Sequence, residues 1–65
     1  MTKPDWNNAP KWANWLAMDE DGDWYWYEDK PQHLSIGVWY SSPGKVEFAE
    51  SSITQDWKET MERRQ

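Results

Sequence analysis

Seven tryptophans in a chain of 65 residues constrain this protein more than any other feature of its sequence. An indole is either buried or displayed as contact surface, and each buried one removes roughly 150 to 250 Å² from water, worth about 4 to 6 kcal/mol as an upper bound. Only 37% of the residues are hydrophobic, so a few large rings must do the packing that many aliphatic side chains do elsewhere. A domain this short is marginal without a metal, a disulfide or a partner. Cysteine is absent, which excludes a disulfide scaffold and a Cys-based zinc module. Seven Lys and Arg against twelve Asp and Glu, a net charge of −5, argue against a basic grip on nucleic acid. No apolar run approaches the roughly 18 to 20 residues that cross a bilayer, and residues 1 to 11 lack the apolar core of a signal peptide. The expectation is a soluble intracellular protein with no membrane partner.

Residues 1 to 10 mix Pro, Asn, Asp and Lys without periodicity and read as an irregular arm that Trp6 pins to the body. Residues 11 to 18 (KWANWLAM) suit a strand or a short helix equally well, and the following residues decide for a strand. Residues 19 to 23 (DEDGD) form a turn, and residues 24 to 28 (WYWYE) are strongly β-prone. A type I turn at Glu20 and Asp21, with Gly22 in the left-handed region, sets the register. Met18 then opposes Trp24, Ala17 opposes Tyr25, Leu16 opposes Trp26 and Trp15 opposes Tyr27. A slip of one residue would exchange the two faces.

Residues 34 to 40 (LSIGVWY) alternate as a third strand, residues 41 to 44 (SSPG) turn, and residues 45 to 49 (KVEFA) alternate again with Val46 and Phe48 inward. Ser51 or Ser52 caps a C-terminal helix, Gln55 completes a capping box with Ser52, and Ile53, Trp57 and Met61 recur at a spacing of four. The expected fold is therefore a single α+β domain over residues 1 to 65. It consists of an antiparallel meander of three to four strands over residues 11 to 50, with one helix at residues 52 to 64 packed on one face.

One helix covers one face. It would cover the side bearing Trp12, Leu16, Met18, Trp24, Trp26, Leu34, Ile36, Val38, Tyr40, Val46 and Phe48. The other side would keep an aromatic ledge of Trp15, Tyr25, Tyr27 and Trp39, unless the N-terminal arm or a second chain lies on it. Contiguous exposed apolar surface of this kind usually marks an interaction site.

Residues 12 to 31, with Trp-Ala-Asn-Trp-Leu-Ala at their start, Asp21-Gly22, the aromatic run at 24 to 27 and Pro31, resemble the small Trp-rich acidic proteins of tailed bacteriophages and prophages. Residues 57 to 61 (WKETM) are similar to the endings of several of them. The resemblance implies a setting in the bacterial cytoplasm and a host protein as partner, and it brings no assigned activity.

Six carboxylates, Asp19, Glu20, Asp21, Asp23, Glu28 and Asp29, fall within eleven residues. Aligned to a calcium-binding EF-hand loop, Asp19, Asp21, Gly22 and Glu28 occupy the third, fifth, sixth and twelfth positions, but Ala17 stands at the first and a strand replaces the exiting helix. A solvated turn is the better reading, with at most weak cation binding and no metal or other cofactor. Paired carboxylates on a convex turn lack the cleft that acid–base catalysis needs, and His33 sits in a polar loop with no nucleophile. A non-enzymatic protein is expected. Its site would be Trp15, Tyr25, Tyr27 and Trp39 rimmed by Asp19, Asp21, Asp23 and Glu28, binding and inhibiting a host protein. A reader of carbohydrate or proline-rich ligands, or a homodimer buried at the ledge, are the alternatives.

Overall fold

The acidic turn closes the expected hairpin in the computed structural model, which describes residues 3 to 33, 36 to 41, 43 to 53 and 56 to 65. Strand β1 (Trp15–Met18) runs antiparallel to β2 (Asp23–Tyr27), pairing Met18 with Trp24, Ala17 with Tyr25, Leu16 with Trp26 and Trp15 with Tyr27. Gly22 permits the turn through a φ of 94°, a conformation that costs a residue with a Cβ. The Asp19 amide donates to the Asp23 carbonyl at 2.9 Å and the Gly22 amide to the Asp19 carbonyl at 3.0 Å. Leu16, Met18, Trp24 and Trp26 share one side and are all buried.

Beyond the hairpin the architecture departs from an α+β meander. The described residues form an all-β domain: β3 (Gln32–His33) and β4 (Trp39–Tyr40) make a two-stranded sheet, while β5 (Val46–Ser51) and β6 (Glu62–Arg63) flank the hairpin in a four-stranded antiparallel sheet of order β5-β2-β1-β6. The continuous strand expected at residues 34 to 40 is interrupted by Gly37, with a φ of 90°, and the chain folds back so that His33 opposes Trp39 and Gln32 opposes Tyr40. Leu34 and Ser35 lie outside the described residues. The Gly37 carbonyl accepts from the Glu20 amide at 2.8 Å, which ties this small hairpin to the acidic turn. Ile36, expected on the inner face, is exposed.

No α-helix occurs among the described residues, and the helix expected at 52 to 64 is replaced by a 3₁₀ turn, Trp57–Glu59, followed by β6. The physical reason lies in β1. Three of its four residues are buried, and a buried strand needs hydrogen-bond partners on both edges. Ser52 is drawn into the sheet end instead of capping a helix: its amide donates to the Gly22 carbonyl at 2.8 Å, and its carbonyl accepts from the Trp24 indole at 2.7 Å. Gln55, the other half of the expected capping box, is outside the described residues. Asp56 caps the 3₁₀ turn, and β6 then pairs Arg63 with Trp15 and Glu62 with Leu16. At the next step of that ladder the Thr60 hydroxyl takes the place of a backbone carbonyl. It accepts from the Met18 amide at 2.8 Å and donates to the Trp57 carbonyl at 2.8 Å. A short isolated helix is weak in water, whereas this route satisfies the outer edge of β1.

The N-terminal arm covers the face that the helix was expected to cover. Asp5 caps a 3₁₀ turn, Trp6–Asn8, the Trp6 ring packs 4.9 Å from Trp26 between centroids, and the Trp6 indole and Lys3 both donate to Glu62. Arg64 fastens the C-terminus beneath the arm by donating to the carbonyls of Pro10, Lys11 and Ala13.

Replacing Thr60 with Val keeps the shape and deletes the hydroxyl, which leaves the Met18 amide without its acceptor. Urea unfolding should show T60V destabilised by about 1 to 3 kcal/mol. A variant as stable as the parent would mean that this bond does not hold the edge of β1.

Candidate functional site

The second face of the hairpin carries Trp15, Tyr25 and Tyr27, three of the four rings of the ledge expected to lie open, and the β3–β4 hairpin, which bears the fourth, Trp39, folds over it. Tyr27 is 2% exposed and Trp39 8% exposed, so both sides of the sheet are covered within one chain. Trp39 is fixed at both ends: its amide donates to Asp19 Oδ1 at 2.8 Å and its indole to the Trp57 carbonyl at 3.2 Å. The Trp57 ring meets it edge-on at 6.1 Å, and His33 stands edge-on to both rings at 5.3 and 5.5 Å. His33 is thus an exposed cap on two indoles rather than a solitary loop residue, a role for which the sequence carries no local signal.

The cover is incomplete. Between β2 and β4 remains a cavity of about 170 Å³ lined by Asp19, Tyr25, Tyr27, Trp39, Tyr40, Ser41 and Val46. Four aromatic rings and one carboxylate converge on it. It unites Asp19, Tyr25, Tyr27 and Trp39 of the sequence-derived site and leaves out the other four members. Trp15 lies apart, half-buried, with Lys30 Nζ 5.8 Å and the Arg63 guanidinium 5.9 Å from its ring centre. Asp21 accepts from the Asp23 amide, Asp23 from the Ser51 hydroxyl, and Glu28 from the Lys45 amide. These three carboxylates brace the turn and the β2–β5 junction.

Tyr40 and Val46 were expected on the opposite side and are corrected here. The turn at Gly37 re-aims Tyr40, and direct pairing of β5 with β2 sets Val46 opposite Tyr27 and Phe48 opposite Tyr25, with a bulge farther along between Trp24 and Tyr25. Neither side chain points into the core as alternation suggested: Val46 is 46% exposed and Phe48 52% exposed. Phe48 meets Tyr25 edge-on at 5.6 Å, extending the aromatic surface outward from the cavity.

The electrostatics follow from this placement. Burial pushes the Asp19 carboxyl above the ordinary aspartate value, the neighbouring charges of Asp21 and Asp23 push the same way, and the Trp39 amide opposes them without prevailing. Tyr27 is raised strongly, first by burial and then by the Asp19 charge and by Tyr25; Tyr25 is raised by burial and by Asp23, Asp19 and Asp21. The phenols therefore stay neutral and keep their electron-rich faces at any physiological pH.

A larger depression of about 490 Å³ lies between Asn14, Trp15, Arg63, Arg64 and Gln65, but its Arg64 guanidinium is already engaged by three backbone carbonyls. Among the described residues no three His, Asp or Glu side chains gather as a metal-ligand set. No family model, curated protein or solved structure matches the chain.

A carboxyl whose pKa is higher folded than unfolded makes its stabilising contribution below the unfolded value and loses it as pH rises through the folded one. D19N removes the charge and keeps an oxygen for the Trp39 amide. Thermal melts should show D19N more stable than the parent at pH 7, with the difference gone at pH 3. Destabilisation of D19N at pH 7 that disappears at pH 3 would mean instead that the ionised carboxylate holds Trp39 in place.

Proposed function

We propose that this chain is a binding protein that receives an extended, basic segment of a partner protein along the outer edge of β5. The observation that carries the reading is β5 itself. It is six residues long and ends the sheet, and among the described residues no backbone bond outside the β2 ladder reaches residues 46 to 50. Alternate amides and carbonyls of such an edge face outward and offer pairing to an added strand. Val46 and Phe48, with Tyr25 and the 56% exposed Tyr40 behind them, supply apolar surface for alternate side chains of that segment.

Charge selects the partner. Glu47 and Glu50 lie on the same strand in a chain of net charge −5. Two copies paired edge to edge would bring like charges together, whereas a basic segment meets opposite ones. Exposed backbone favours a peptide over a sugar, which would use the rings alone. The resemblance to small phage proteins makes a bacterial host protein the class of partner, and occupation of its surface is a direct route to inhibition.

Two hexapeptides, one alternating lysine with valine and one alternating glutamate with valine, separate the possibilities in a titration followed by amide NMR and hydrogen exchange. The lysine peptide should shift and protect the outward amides of residues 46 to 50, and the double variant E47K/E50K should prefer the glutamate peptide. Failure of both peptides to touch these amides would overturn the reading. So would protection of β5 that rises with protein concentration alone, which would assign the edge to a second copy.

A further inference from the structure

The cavity beside β5 differs chemically from the edge it adjoins. Tyr25, Tyr27, Trp39 and Tyr40 line it, and Asp19 is the one charged residue of the lining. Ring faces carry negative electrostatic potential and attract a cation held near them. One Asp19 oxygen accepts from the Trp39 amide at 2.8 Å, which holds the carboxylate toward the rings.

The kind of cation follows from what the walls lack. A lysine ammonium is compact, strongly hydrated and has three N–H donors to satisfy. The lining offers one carboxylate, already engaged on one oxygen, and otherwise only neutral hydroxyls, a poor exchange for that hydration. An alkylated ammonium spreads its charge over methyl groups, has little or no N–H to satisfy and loses little water on entry. Size agrees as well: a cavity of about 150 Å³ admits benzene, a group of similar bulk to trimethylammonium, and this one measures about 170 Å³.

We propose that the cavity of Asp19, Tyr25, Tyr27, Trp39 and Tyr40 is a receptor for a quaternary ammonium group. The inference rests on the β5 reading only for the source of the group, a methylated lysine of the bound segment. The free cation needs no strand edge, so the cavity and the edge succeed or fail separately. A cation seated beside Asp19 also offsets the cost of keeping that partly buried carboxylate ionised.

Choline and its neutral isostere 3,3-dimethylbutan-1-ol have nearly the same shape and differ in charge, and titration with each, read by tryptophan fluorescence and by amide NMR, tests the proposal directly. Choline should bind with shifts centred on Tyr25, Trp39 and Tyr40, and the isostere should bind at least about fivefold more weakly. Y40A, which removes an exposed ring from the rim, should weaken choline by a similar factor, and Y40F should restore it. D19N should weaken choline while leaving the isostere unchanged. Acetylated trimethyllysine amide, titrated alongside, distinguishes a protein side chain from a free headgroup as the source by which of the two cations binds more tightly. Equal affinity for choline and its isostere, or saturation by neither, would overturn the proposal even where the lysine peptide still pairs with β5.

Discussion

Strand β1 is the element on which the rest of the domain depends. It is four residues long with three of them buried, so its backbone is cut off from water along both edges and its side chains must be covered above and below. The hairpin with β2 satisfies one edge. The other is closed from the far end of the chain by two residues of β6 and one threonine hydroxyl. The C-terminal segment is therefore extended where it would otherwise coil, and it brings Trp57 to the flank of Trp39 and Glu62 to the arm. Removing water from β1 organises three segments far apart in sequence.

The two coverings are unequal. On the Leu16 and Trp26 side the arm brings Trp6 into direct ring contact and anchors it on Glu62, leaving a continuous packed layer. On the Ala17 and Tyr27 side a hairpin of two-residue strands supplies Trp39 and stops short of Tyr25. Trp39 and Tyr27 are buried on this side, while Tyr25 is only half-buried. The cavity and the exposed rings of β5 are what this shorter cover leaves behind, and the acidic turn that shaped the hairpin provides their charge.

Within the sequence the hairpin was legible to the residue, because its determinants are local. A glycine at the one position requiring positive φ and β-prone rings on either side of a five-residue acidic stretch specify both register and faces. The failures share a different cause. Ile53, Trp57 and Met61 do recur at helical spacing, but Trp57 is used to flank Trp39 while Ile53 stays exposed. The competing demand came from the Met18 amide, 42 residues away from Thr60. Strict alternation likewise placed Val46 and Phe48 inward and Tyr40 away from Tyr25. Direct pairing of β5 with β2 and a turn at Gly37 reversed those assignments; the glycine is visible in the sequence, but nothing local says which strand β5 will join. Half of the sequence-derived site met at the cavity because Asp19, Tyr25 and Tyr27 share the legible hairpin and Trp39 is bonded to Asp19. Asp21, Asp23 and Glu28 did not, since their carboxylates are taken up by the Asp23 amide, the Ser51 hydroxyl and the Lys45 amide.

By itself the amino-acid order determined that a tight acidic turn would pair two aromatic strands and divide their rings between two faces. Turn chemistry and pleat alternation act over a few residues and need nothing else. Which segment would close the outer edge of β1, which would roof each face, and therefore which rings would be left at the surface, only the tertiary structure decided. Those outcomes are set by competition among distant segments for the same unsatisfied backbone and the same apolar surface.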